Sequence, residues 1–293
     1  MPSAHANGIE LDYDTFGSPA DPALLLIQGF SVQKIAWDDE FCQLLARRGF
    51  FVIRFDNRDV GLSTKIEDAP FPDIAAAFAG DASSAPYSLD DMADDAAGLL
   101  DALDVSSADV VGASMGGYIA QCLVLRHPEK VRSLCSIMSS TGDRSVGQPS
   151  AEALAALLQP PPQTREAAMD RGVANARIIG SPGFAFDEDR LRRRAALAWD
   201  RCHYPIGAAR QLVAIMASPD RTGALGQVRV PTLVIHGDAD ALVDPSGGRA
   251  TAAAIPGARL LIVPGMGHDL PPGAWPTIID AIVDNAVMSR AQR

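Results

Sequence analysis

Six short apolar runs, none alternating with polar residues, constrain this chain more than any other feature. They are ALLLIQG (23–29), FFVIRFD (50–56), ADVVGAS (108–114), VRSLCSIM (131–138), PTLVIHGD (231–238) and RLLIVPG (259–265). A strand with one solvated face alternates, whereas a continuous run of this length is buried on both faces, as in a parallel sheet covered by helices. Between the runs, 37–49, 87–105 and 115–130 place apolar residues at i, i+3 and i+4 with a charged opposite face, which predicts amphipathic helices. Ser88, with Asp91 three residues on, marks the start of the second of these. Strands that alternate with helices specify an α/β fold with right-handed crossovers. The stretch ANGIELDYDTFG (6–17) does alternate, and predicts an antiparallel pair at the sheet edge.

The pattern breaks over 142–226, which is rich in Ala and Arg, contains the Pro160–Pro162 run and reads as four helices without a strand. At 293 residues and 47% apolar content, the chain suits one large domain carrying an insertion. The expected division is therefore a core of 1–141 and 227–293, with 142–226 as a helical lid over the sheet.

Composition narrows the function classes. A net charge of −11 leaves no basic face for nucleic acid and disfavours an anionic membrane surface. No apolar run is long enough to span a bilayer. The N-terminal residues lack the basic and apolar regions of a secretory leader, so a cytoplasmic setting is expected. Cys42, Cys122, Cys135 and Cys202 show no C-x-x-C pairing and read as buried free thiols, with no metal site and no cofactor implied.

The chemistry centres on Gly112-Ala113-Ser114-Met115-Gly116, a Gly-x-Ser-x-Gly pentapeptide between a strand and a helix. A serine in so tight a turn is strained, and only glycines two residues before and after it let strand and helix backbones pass. Its hydroxyl then stands above the sheet at a helix N-terminus, where a developing anion is favoured. The pentapeptide alone is a weak signal; its strand–turn–helix context makes Ser114 a candidate nucleophile.

A serine needs a base, and the base an orienting acid. Of five histidines, His5 lies in the polar N-terminus, His127 closes a helix before Pro128, His203 falls in the lid and His236 ends a strand. His268 sits in a glycine-rich loop after the last run, where sites of open α/β sheets assemble. The acid should come from the loop after 231–238, where Asp238, Asp240 and Asp244 compete. Asp244 precedes Pro245 and reads as a helix start, which leaves Asp238 and Asp240 about equal. The order Ser, Asp, His excludes the chymotrypsin and subtilisin arrangements. An oxyanion would need two backbone donors, the amides of Met115 and, after Gly29, of Phe30; one such donor is worth ~3 kcal/mol.

Two further patterns carry no function. Ser31-Val32-Gln33-Lys34 matches S-x-x-K, but no K-T-G follows and it lies in a loop. The run RLRRR (190–194), flanked by Asp187, Glu188 and Asp189, reads as a solvated helix face.

These residues resemble the α/β-hydrolase superfamily, and within it the aclacinomycin methylesterase-like carboxylesterases. The stretches that carry the resemblance are DPALLLIQGFSVQKIAWDDEF, FFVIRFDNRDVGLST, VVGASMGG, VPTLVIHGDAD and VPGMGHDLP. The resemblance implies Ser114 as nucleophile, His268 as base and Asp240 as acid, since the family acid lies three residues past the glycine that is here Gly237. It also implies Phe30 and Met115 as oxyanion donors. Two departures bear on the pocket: Gln28-Gly29 replaces the usual His-Gly, and Asp59 stands where the common loop has glycine, as in the methylesterase group. The implied activity is hydrolysis of small to medium apolar esters through an acyl-enzyme, with water as the second substrate. Lactonase, thioesterase, lipase, perhydrolase and C–C hydrolase activities share the same residues. A non-catalytic binding protein is disfavoured because every triad member and both elbow glycines are present. Met169, Phe184, Phe186, Trp199 and Met216 are the candidate apolar pocket of the lid, together with Phe30. The oligomeric state is not written in the sequence.

Overall fold

The structure is a computed structural model and describes residues 2–291. The chain opens with a hairpin, β1 (Ser3–Ala6) and β2 (Ile9–Phe16), followed by β3 (Ala23–Ile27), α1 (Asp39–Arg47) and β4 (Phe51–Phe55). Next come α2 (Ile74–Phe78), α3 (Leu89–Ala102), β5 (Ala108–Ala113), α4 (Met115–Arg126) and β6 (Val131–Ile137). Five helices then interrupt the alternation: α5 (Ala151–Leu157), α6 (Arg165–Ile179), α7 (Glu188–Arg201), α8 (Pro205–Ala217) and the short α9 (Thr222–Leu225). The sheet resumes with β7 (Thr232–Gly237), α10 (Ser246–Ala254) and β8 (Arg259–Val263), and α11 (Trp275–Ala291) closes the chain.

One eight-stranded sheet runs in the order β1-β2-β4-β3-β5-β6-β7-β8. The pairs β1/β2 and β2/β4 are antiparallel, and all the others are parallel. Every residue of β3, β5 and β7 is buried, as continuous apolar runs demand, and each face of the sheet packs on its own cluster of helices. On one face lie Leu25, Ile27 and Val110 with Met92, Leu99 and Ile119; on the other lie Leu24, Leu26 and Val111 with Phe41, Trp275 and Ile278.

Two expectations are corrected here. The run at 259–265 forms β8, but β8 is the sheet edge, so only Val263 is fully buried while Arg259 and Leu260 are exposed. Cys42, Cys122 and Cys135 are buried free thiols, and burial pushes Cys42 and Cys122 up to about 12. Cys202, however, is only part-buried, because it ends α7 at the rim of the inserted helices. Among the described residues, no helix is long and apolar enough to cross a membrane.

The register aligns Ile27 with Gly112, Ala113 with Ile137, and Gly237 with Val263. The loops that leave β3, β5, β7 and β8 therefore emerge along one carboxyl edge, the place where open α/β sheets build their sites.

Candidate active site

Ser114 is the single residue between β5 and α4, at φ 55° and ψ −122°. That is a left-handed value which a residue with a side chain adopts only when its surroundings impose it. The surroundings are two glycines. A Cβ on Gly112 would come within 2.0 Å of the Gly116 carbonyl oxygen, and one on Gly116 within 2.2 Å of the Ile27 oxygen. Strand, helix and neighbouring strand thus approach more closely than any side chain allows, and the turn lifts the serine to the edge. The Ser114 amide donates to the Ile137 oxygen at 2.9 Å, which fixes the turn to β6.

His268 stands in the loop after β8, with Nε2 2.9 Å from Ser114 Oγ and Nδ1 2.8 Å from Asp240 Oδ2. A proton on Nδ1 satisfies both contacts: the ring donates to Asp240 and accepts from the serine hydroxyl. Asp240 is buried, and its Oδ1 accepts the Leu242 and Val243 amides at 2.9 Å each. Burial alone would raise its carboxyl, but the charge of His268 and hydrogen bonds from His236, His268 and Val243 outweigh it. The result is a carboxyl held well below the usual aspartate range.

The other acids of this loop are engaged elsewhere. Exposed Asp238 accepts the Gly265 amide at 2.6 Å, and Asp244 accepts the Ser246 amide at 2.9 Å where α10 starts. His5, His127 and His203 lie against Glu10, Asp94 and the Trp199 ring. His236 is fully buried beside Asp240, with Nε2 2.7 Å from the Val243 oxygen and 3.3 Å from Asp240 Oδ2.

Gly29 lies against the serine, since a Cβ there would sit 3.0 Å from Ser114 Cβ. Among the described residues, neither the Phe30 nor the Met115 amide donates to a protein acceptor. The next amide, Ser31, donates to Gln211 Oε1 at 2.8 Å, while Gln211 Nε2 donates to the Arg58 oxygen at 2.9 Å. Gln211 is completely buried on α8, so an inserted helix braces the turn that carries Phe30. A second brace reaches the histidine loop. The His268 amide donates to the Ile179 oxygen at 2.6 Å, and the Gly267 amide donates to Ser181 Oγ at 2.9 Å. Neither Gln211, Ser181 nor His236 stood out from the sequence, because each acts through a partner at least 86 residues away or within an otherwise apolar strand.

The candidate pocket residues occupy different surroundings. Phe184 packs towards the core beside Gly273, and Trp199 stacks on His203 with ring centroids 4.0 Å apart. Phe186 is exposed beneath the Arg177 guanidinium, Met169 meets Arg165, and Met216 is part-buried at the end of α8. The S-x-x-K lysine is committed to the scaffold: Lys34 Nζ lies 2.7 Å from Asp12 and 3.0 Å from Asp14, almost wholly buried. Asp59, in place of glycine, adopts φ 64° and accepts from the Ile66 amide and from Arg210 of α8. The run 190–194 is not the solvated face its flanking acids suggested. Arg192 and Arg193 face outward, whereas Arg190 turns inward to Asp38 at 2.5 Å and Arg194 is part-buried in a cleft behind His268. The α-helical period turns residues 190 and 194 to one side, a split that a run of like charges conceals.

The fold and this carboxyl-edge constellation define a class: the chain belongs to the alpha/beta hydrolase fold family, whose model matches residues 22–271. Among its relatives, rhodomycin D methylesterase DauP of Streptomyces sp. (strain C5) is 34% identical, with 87% of each chain covered. Rhodomycin D methylesterase DnrP of Streptomyces peucetius is 32% identical over the same shares. Of the solved structures, the enol-lactonase from Burkholderia xenovorans LB400 is similar with a TM-score of 0.72 at 26% identity, covering 98% of this chain and 100% of that one.

Proposed function

We propose that this chain is a serine carboxylesterase in which Ser114, His268 and Asp240 are the catalytic triad. The observation that carries the reading is the unbroken chain of contacts Ser114 Oγ, His268 Nε2, His268 Nδ1 and Asp240 Oδ2, at 2.9 and 2.8 Å, beside two unengaged amides. The two methylesterase relatives, matched along 87% of both chains, make carboxylic ester hydrolysis the class of reaction. In this mechanism Ser114 Oγ attacks the ester carbonyl as His268 Nε2 takes its proton. The Phe30 and Met115 amides hold the oxyanion. The tetrahedral intermediate collapses, and the proton passes from His268 to the departing alcohol. Water, deprotonated by His268, then attacks the acyl-Ser114 and releases the acid. Asp240 keeps the imidazole in the useful tautomer and stabilises its cation throughout. The helices of 142–226 act as the cap over this site, which takes a small-molecule ester and needs no cofactor.

Fluorophosphonate labelling tests the reading. Wild-type protein should carry one adduct on Ser114, found by peptide mass spectrometry, and Ser114→Ala should carry none. An unlabelled wild type, or labelling that persists in the variant, would overturn it. A panel of methyl esters and lactones then separates the esterase from its lactonase neighbours.

A further inference from the structure

Asp240 touches two histidines, and of these His268 is the one that reaches the serine. The other, His236, stands opposite Ile262 in the register of β7 with β8 and is fully buried. An imidazole buried in so apolar a strand is costly unless its nitrogens are paired. Nε2 lies 2.7 Å from the Val243 oxygen and 3.3 Å from Asp240 Oδ2, whereas Nδ1 has no partner among the described residues. Both oxygens accept, so Nε2 carries a proton and its positive edge faces the carboxylate. Turning the ring over would set carbon against both oxygens. Nor has the ring room to slide, because a Cβ on Gly248 of α10 would lie 2.4 Å from His236 Nδ1.

The contacts of the Asp240 carboxylate divide evenly between its oxygens. Oδ1 takes the Leu242 and Val243 amides, while Oδ2 takes His268 Nδ1 at 2.8 Å and the longer contact from His236 Nε2. Together they match the acceptor positions that a carboxylate offers. The two amides belong to the same loop as Asp240, so they tether it only to its own neighbours. His268 cannot orient the acid that has to orient it. His236 is the contact that comes from the sheet, and its bond to the Val243 oxygen also closes the loop that carries the acid.

We propose that His236 is a positioning residue of the triad: from within β7 it closes the acid loop on Val243 and holds Asp240 Oδ2 towards His268, without touching substrate. This deepens the esterase reading and rests on it. Loss of the contact should cost rate and not binding, since a misplacement of about 1 Å at a reacting group can lower turnover about 10²-fold.

The test uses a matched pair of variants. His236→Gln can carry an amide N–H to the place of Nε2, whereas His236→Asn reaches only the place of Nδ1, on the α10 side. For a methyl ester, kcat should fall about tenfold to a hundredfold in His236→Asn with KM changed little, and by less than about threefold in His236→Gln. Thermal melts check that both variants fold. In an Asp240→Asn background, His236→Asn should cost nothing further, because the residue acts through Asp240. Equal losses in the two variants, a loss carried by KM, or the full loss recurring in the Asp240→Asn background overturns the proposal. Proton NMR separates it from the esterase reading. The low-field signal of the His268 Nδ1 proton, assigned by its loss in Asp240→Asn, should stay in His236→Gln and move or vanish in His236→Asn. That response without turnover of any ester would sink the esterase reading and keep the positioning role. Ester turnover with a signal that ignores both substitutions would do the reverse.

Discussion

Asp240 shows how far a single side chain can be specified by its neighbours. Two backbone amides and two histidines converge on its carboxylate, and the outcome is a lowered carboxyl in a buried setting. The folded value lies below the unfolded one, near 3.9. Its contribution to stability is therefore present above that value and is lost as pH falls through the folded value. Asp240→Asn should unfold at a lower urea concentration than wild type at pH 7, and the gap should close on acidification towards pH 3 and below. The same variant should lose about 10³–10⁴ in kcat at pH 7, because the amide presents the wrong hydrogen-bonding partner to Nδ1; steady-state hydrolysis of a methyl ester measures this. Local pattern left Asp238 and Asp240 level, and only the family resemblance chose Asp240, since periodicity places residues on elements and says nothing of which way a loop carboxylate turns. The structure separates them by their partners: one takes the Gly265 amide and the other the imidazole.

Elements were legible wherever their period was strong. The six apolar runs all became strands, the four helices expected in 142–226 all formed, and Ser88 with Asp91 makes a complete capping box. What escaped had weak patterns. The helix Ser246–Ala254 was legible only by its start at Asp244-Pro245, because its Ala- and Gly-rich body has little polar face, and Ile74–Phe78 is barely more than one turn. Braces between elements were not legible at all, and α8 is the clearest case. Gln211 sits 180 residues from the Ser31 amide it accepts, and nothing in PIGAARQLVAIMA distinguishes it from a polar residue of an amphipathic helix. Gln211→Leu keeps the volume but removes the acceptor from Ser31 and the donor from Arg58. Leaving such buried groups unpaired costs about 1–3 kcal/mol. We expect kcat to fall about tenfold to a hundredfold with KM changed little, because the Phe30 turn loses its support while the pocket stays. An equal rise in KM would point instead to a lost substrate contact.

At the scale of the whole molecule, the inserted helices are riveted to the sheet by buried charge. Arg201, at the end of α7, meets Asp12 of β2 at 2.9 Å and Asp56 after β4 at 3.0 Å, while Lys34 compensates Asp12 and Asp14. These partners are 145 and 189 residues from Arg201, so no local sequence pattern joins them. Removing one member of a buried ion cluster strands its counter-charges, so Arg201→Met should cost about 3–5 kcal/mol, read from urea unfolding. A loss under about 1 kcal/mol would place the cluster among ordinary surface pairs. The hydrogen bonds from His268 to Ile179 and from Gly267 to Ser181 have a consequence for heredity and engineering alike. His268, the proposed base, is seated by the insertion, so the insertion is not an interchangeable module. Grafting the corresponding helices from a relative onto this sheet should return an active enzyme only when the graft brings a carbonyl and a hydroxyl to those two amides. Drift within 142–226 is free to reshape what the enzyme accepts, but only around those two anchor points and around Gln211 and Arg201.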